Sequence, residues 1–201
     1  SPLTEEPLTS SHNFGETWGL AAHPRDPNVF ATSGDDKTVR LWHVQYRGSF
    51  AQTAPGAMLD MSRALCFSPG DGTYLAAGLG GRIGGRNTGD FGKHAGKIQI
   101  LDGESLEVLK TASVAKEQIS DIAFSNDGKT LAVASNDNFI HLIDFGGPTR
   151  LKRRAKCKGH SSFVTDISLS QDSKYMMSNC GAGEILFWRL DNGKRLTKLD
   201  K

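Results

Sequence analysis

Short apolar runs alternate with polar turns along the whole chain, and within the runs the apolar positions recur every second residue. Val39 and Leu41, and again Ile98 and Ile100, show this period, and β-branched and aromatic side chains are concentrated in the same runs. Between them stand "HPRDPN", "SPGDG", "SNDG" and "SQDS", made of residues whose side chains or backbone freedom favour tight turns. No stretch sustains a 3.6-residue apolar period. The pattern predicts an all-β protein built from hairpins.

The hairpins repeat. "WGLAAHPRDPNVFATSGDDKTVRLW" (18–42), "ALCFSPGDGTYLAAG" (64–78) resumed by "GKIQILD" (96–102), "ISDIAFSNDGKTLAVASNDNFIHLID" (119–144) and "GHSSFVTDISLSQDSKYMMSNCGAGEILFW" (159–188) share one order: strand, polar turn, strand, tight turn, strand. Their closing positions, Trp42, Leu101, Ile143 and Trp188, are spaced 59, 42 and 45 residues apart. The long interval contains a glycine-rich insertion at 79–95; without it the period is about 42–45 residues, that of a WD40 propeller blade. A more polar fourth strand is expected after each closing residue, in "VQYRGSFAQT", "SLEVLKTA", "TRLKRRAKC" and "GKRLTKLD". The predicted fold is therefore a WD40 β-propeller with four blades, at about 14–53, 60–112, 117–157 and 159–200. Each blade needs neighbours on both flanks, so the four are expected to be part of a larger, about seven-bladed ring. The missing blades would come from the same chain or from another copy.

The repeat assigns a role to its polar positions. In such a blade a histidine before the first strand meets a second-strand hydroxyl, a turn aspartate and the third-strand tryptophan, groups that would each cost about 1–3 kcal/mol if buried unpaired. Blade four offers His160, Ser178 and Trp188, with Ala182 where the aspartate would stand. Blade one offers Thr32, Asp36 and Trp42, with His12 as a candidate fourth member. Blade three keeps Asp137 but has Val133 and Ile143, and blade two keeps almost none. These positions are expected to be structural.

Composition narrows the remaining chemistry. The 201 residues carry a net charge of +2, which argues against bulk nucleic-acid binding. No run of eighteen apolar residues spans a membrane, and "SPLTEEPLTSSHNF" does not read as a signal peptide. Cys66, Cys157 and Cys180 are odd in number and lack C-x-x-C spacing, which points to a reducing, cytoplasmic setting. The six histidines show no H-x-x-x-H or H-E-x-x-H spacing and no G-x-S-x-G is present, so neither metal, cofactor nor catalysis is expected. Two basic clusters remain: the insertion, with Arg82, Arg86 and Lys93, and "RLKRRAKCK" (150–158), with Arg153 and Arg154. Loop 78–97 and the end of 150–158 are expected towards one propeller face, as a shared basic rim for an acidic protein surface.

"ETWGLAAHPRDPNVFATSGDDKTVRLW", "SNDGKTLAVASNDNFIHLID" and "CKGHSSFVTDISLSQDSKYMMSNCGAGEILFW" resemble the echinoderm microtubule-associated protein-like family, over about Glu16 to Lys194. "GHSSFVT", "SNDNFI" and "EILFW" carry positions the repeat alone does not dictate. The region resembled is the first four blades of the family's second propeller. The resemblance implies a non-enzymatic, cytoskeletal protein that contacts tubulin or microtubules. Set aside the resemblance, and a general WD40 scaffold for another multiprotein complex fits the same residues.

Overall fold

The computed structural model describes residues 12, 16–81 and 93–197. Fifteen strands lie among them, arranged in four antiparallel sheets of consecutive strands. Blade one contains β1 (Thr17–Ala22), β2 (Val29–Gly34), β3 (Val39–His43) and β4 (Gly48–Gln52). Blade two contains β5 (Ser62–Phe67), β6 (Tyr74–Leu79), β7 (Lys97–Asp102) and β8 (Val108–Ser113). Blade three contains β9 (Ile119–Phe124), β10 (Thr130–Ser135), β11 (Phe139–Phe145) and β12 (Leu151–Lys158). Blade four contains β13 (Val164–Leu169), β14 (Tyr175–Cys180) and β15 (Ile185–Arg189). The first strands β1, β5, β9 and β13 adjoin in succession, so the sheets stand side by side like wedges around an axis. No helix among the described residues is long and apolar enough to cross a membrane.

The outer strand expected in "GKRLTKLD" is reduced to a single bridge between Trp188 and Arg195 among the described residues; residues 198–201 lie outside them. The insertion is described at Leu79–Gly81 and Lys93–Ala95 only, so Arg82 and Arg86 fall outside the described residues.

Three apolar cores fill the gaps between blades. Ala31, Val39 and Leu41 of blade one pack on Leu65, Leu75, Leu79 and Leu101 of blade two. Ile98 and Ile100 meet Ile119, Ile122, Leu131 and Val133 across the next gap. Ala132, Ile140, Leu142 and Cys157 meet Ile167, Met176, Leu186 and Trp188 across the third. Strands with neighbours on both sides are buried throughout, as in "TLAVAS" of β10, the continuous apolar signature of a strand covered on both faces. In β14 and β15 burial alternates strictly, because only one face has a neighbour. Tyr175, Met177, Ile185 and Phe187 lie exposed on the other face.

The inner strands share a further device. Each contains one residue skipped by the pairing register: Trp18, Arg63, Ser120 and Thr165. Such bulges re-aim a side chain out of the sheet. The Arg63 guanidinium lies 4.1 Å from the centroid of Trp18 and 3.3 Å from Asp35 Oδ1, tying blade two to blade one. At the other end of the strands, Asn126 Nδ2 donates to the Gln171 carbonyl (3.0 Å) and the Asp127 N–H to Ser173 Oγ (3.2 Å), joining blades three and four.

Close packing between blades makes one glycine decisive. A Cβ at Gly78 would lie 2.4 Å from Ile119 Cγ2, in the gap between blades two and three. Gly78→Ala is expected to destabilise the fold by about 1–3 kcal/mol, the cost of overpacking. Urea unfolding followed by tryptophan fluorescence measures it.

Candidate functional site

The turns linking second to third strands, and the segments leading into first strands, come together on one face of the arc. The polar positions of the repeat lie there. In blade one His12 Nδ1 is 2.7 Å from Asp36 Oδ1 and its Nε2 is 3.0 Å from Thr32 Oγ1. Trp42 Nε1–H donates to the same Thr32 oxygen at 2.7 Å. Asp36 also accepts from the Thr38 hydroxyl (2.8 Å), the Thr38 N–H (3.1 Å) and Arg40 Nη2 (3.3 Å). The partners assign the tautomer: Nδ1–H donates to Asp36, and Nε2 accepts from Thr32. The turn forms because Lys37 takes a positive φ of 58° between Asp36 and Thr38, and Asp36 fixes the next residues by an Asx-type bond.

Blade four uses different chemistry at the same positions. His160 Nε2 is 2.7 Å from Ser178 Oγ, which accepts Trp188 Nε1–H at 2.7 Å. No carboxylate stands at Ala182. Glu184 supplies one instead: its Oε2 accepts the Ser161 N–H (2.9 Å) and the Cys180 thiol (3.3 Å), and lies 3.4 Å from His160 Nδ1. These bonds, the Ser161 N–H foremost, hold the Glu184 carboxyl down at about 2. Burial lowers the His160 imidazole below its ordinary value, against the pull of Glu184.

Blade three shows how a carboxylate survives without the tetrad. Asp137 Oδ2 is 3.3 Å from His141 Nε2 and accepts the Lys116 N–H at 3.2 Å, while Oδ1 accepts the Phe139 N–H (3.2 Å). His141 occupies the place that Arg40 holds in blade one, opposite the second-strand position of Val133 and Thr32 respectively. Burial lowers the His141 imidazole, with Asp137 opposing. In blade two the corresponding residue is Gln99, whose Nε2 donates to the Ala57 carbonyl (3.0 Å) and whose Oε1 accepts the Leu59 N–H (3.1 Å). Sequence reasoning did not find Glu184, Arg40, His141 or Gln99. A polar residue two places before the closing positions of blades one to three marks Arg40, Gln99 and His141.

Arg153 and Arg154 of the second basic cluster turn to opposite flanks of their strand. Adjacent residues on a strand point to opposite faces, and Arg153 and Arg154 are adjacent on β12. The Arg153 guanidinium donates to the Val114 carbonyl of blade two. Arg154 turns to the other flank, where Nε donates to Asp144 (2.5 Å) and Nη1 to the Leu190 carbonyl (3.1 Å). Lys93 lies exposed in the turn before β7, on the face of the tetrads.

A carboxyl pair lies between blades three and four. Asp121 of β9 accepts the Ile122 N–H (2.8 Å) and, across the gap, the Ile167 N–H (2.9 Å). Burial and a hydrogen bond with Asp166 of β13 push the Asp121 carboxyl up to about 7. No short motif signals this pair, because 45 residues of chain separate its members.

Residues 17–201 match the sequence model of the echinoderm microtubule-associated protein second beta-propeller. Curated relatives include echinoderm microtubule-associated protein-like 4 of Mus musculus, 34% identical over 91% of this chain and 17% of its own length. Echinoderm microtubule-associated protein-like 2 of Homo sapiens is 35% identical over 92% of this chain and 26% of its own. The chain thus spans at most about a quarter of the length of these relatives. Wedge-like antiparallel sheets, polar networks at matching blade positions and similarity across nearly the whole sequence together place this chain in the echinoderm microtubule-associated protein-like family, within its second β-propeller.

Proposed function

We propose that this chain is a non-enzymatic interaction platform of a cytoskeletal, microtubule-associated protein, and that it contacts tubulin through the basic connection between β6 and β7. The observation that carries this is the family match over residues 17–201, with relatives named as microtubule-associated proteins. The tetrad groups of blade one serve the fold: their polar atoms are turned to each other. Trp42, Trp188 and Thr32, with His160 and Ser178, are buried. Arg153 and Arg154 are engaged by carbonyls and Asp144 on the flanks of β12. Lys93 is exposed on the tetrad face and, with Arg82 and Arg86 from the same connection in sequence, is the candidate for an acidic surface. The exposed apolar face of blade four, carrying Tyr175, Met177, Ile185 and Phe187, is the kind of surface that another blade covers.

Co-sedimentation of the intact protein with microtubules tests the reading. Replacing Arg82, Arg86 and Lys93 together by alanine is expected to weaken binding at least tenfold, whereas the Arg153 and Arg154 pair should have little effect. Binding should also fall with added salt. Salt-insensitive binding, or full binding by the triple variant, removes the assignment of the contact. Recovery of a stable complex with other proteins and no tubulin favours the general scaffold.

A further inference from the structure

The loop before β13 and the β14–β15 turn bring three metal-ligating side chains to one point. His160, Cys180 and Glu184 each offer one donor atom, and these atoms all lie within 4.8 Å of one another. We propose that His160 Nδ1, Cys180 Sγ and Glu184 Oε2 form a binding site for a single zinc-like divalent cation on blade four.

A comparison of two blades within the chain supports this. The register from Thr32 to Trp42 maps residue by residue onto Ser178 to Trp188. Three changes along that register remake the surroundings of the histidine: Gly34 becomes Cys180, Asp36 becomes Ala182 and Thr38 becomes Glu184. The first places sulfur where it can reach the ring, since a Cβ on Gly34 would already lie 3.3 Å from His12 Nδ1. The second removes the acceptor that fills Nδ1 of His12 at 2.7 Å. The third returns a carboxylate, but at 3.4 Å from His160 Nδ1 and without hydrogen-bond geometry. His160 Nδ1 is consequently a buried nitrogen with no hydrogen-bond partner, on a side chain only 1% exposed, and it faces the thiol and the carboxylate.

Two of the three donor spacings suit a small tetrahedral ion, and the third lies within 4.8 Å. Ligand bonds of about 2.0–2.3 Å set neighbouring donors about 3.3–3.6 Å apart. The Cys180 Sγ to Glu184 Oε2 distance is 3.3 Å and the Glu184 Oε2 to His160 Nδ1 distance 3.4 Å. Ser178 Oγ, 2.7 Å from Nε2, can accept the Nε2–H and so leave the Nδ1 lone pair free for a metal. A metal takes its histidine ligand as neutral imidazole and its carboxylate ligand ionised. The thiol favours zinc over magnesium or calcium. Binding converts it to thiolate, and its proton goes to solvent. Three protein donors leave a fourth position for water, and the 36% exposure of the Glu184 side chain gives the ion a way in.

Cobalt(II), as a spectroscopic stand-in, and zinc(II) are titrated into the intact reduced chain. The expected result is one cobalt per chain with a thiolate charge-transfer band, displaced by zinc, and a zinc-dependent rise in melting temperature. Cys180→Ser should abolish the band, and Glu184→Gln should weaken binding at least tenfold. Ala182→Asp restores the blade-one acceptor for Nδ1. It should fold at least as stably in chelator, yet lose metal affinity at least tenfold, so the test does not depend on the first two variants folding. No band with cobalt, a band that survives Cys180→Ser, or equal zinc stabilisation of the Ala182→Asp variant would overturn the site. None of these readouts depends on microtubule binding.

Discussion

Trp188→Ala is expected to destabilise the protein by about 3–5 kcal/mol, measured by urea unfolding, with no change in the fold of blades one and two. The indole is 1% exposed and sits in the core between blades three and four with Leu142, Cys157, Ile167 and Met176. Removing a buried aromatic side chain loses its transfer free energy and leaves a cavity. The backbone cannot close in, because the ring is held from several sides. A Cβ at Gly159 would already lie 3.0 Å from Trp188 Cη2, and Leu186 borders the same space. The hydrogen bond to Ser178 Oγ is lost as well. Trp188→Phe separates the two contributions: it keeps most of the packing and should cost about 1–2 kcal/mol. Tyr175→Ala, on the exposed face of the same sheet, should fall within about 0.5 kcal/mol.

Asp166→Asn is expected to stabilise the protein above neutral pH by about 1–3 kcal/mol and to flatten its stability between pH 5 and 8. The Asp121 carboxyl is raised in the folded state to about 7 by burial and by Asp166, against about 3.9 in an unfolded chain. The folded state therefore holds a proton that the unfolded chain has released. That contribution is complete below the unfolded value and is lost as pH rises through about 7. The wild type should lose stability over this interval. An asparagine at position 166 removes the like charge and can donate to an ionised Asp121, a bond to a charged acceptor. The Ile122 and Ile167 N–H bonds to Asp121 are untouched by the change. Urea midpoints at several pH values check both the decline and its removal.

The repeat was legible because its signals are local. Alternation in "TVRLW" and "KIQILD", the turn clusters and the spacing of the closing residues all lie within a few residues of each other. The pairings Phe30–Trp42, Leu75–Leu101, Leu131–Ile143 and Met176–Trp188 place those closing residues at equivalent points of four sheets. What stayed hidden depends on which face a residue takes and which blade lies beside it. Ala182 stands where the repeat places an aspartate, but a carboxylate from Glu184 comes within 3.4 Å of His160 Nδ1 because a turn folds back, and no spacing rule encodes that. Asp121 and Asp166 meet only because two wedges stand side by side. The basic run 150–158 reads as one patch in sequence, and the pleat divides Arg153 from Arg154. The outer strand of blade four is described only up to Thr197, and it pairs with β15 through Trp188 and Arg195.

Hydrogen–deuterium exchange of the intact protein, with and without polymerised tubulin, tests the central claim that this propeller is a microtubule-binding platform. The account predicts slowed exchange at the tetrad face, in the turn carrying Lys93 and in the neighbouring segment from Val114 to Gln118. Unchanged exchange everywhere, or protection confined to the opposite turns at residues 23–28, 68–73, 125–129 and 170–174, would contradict it.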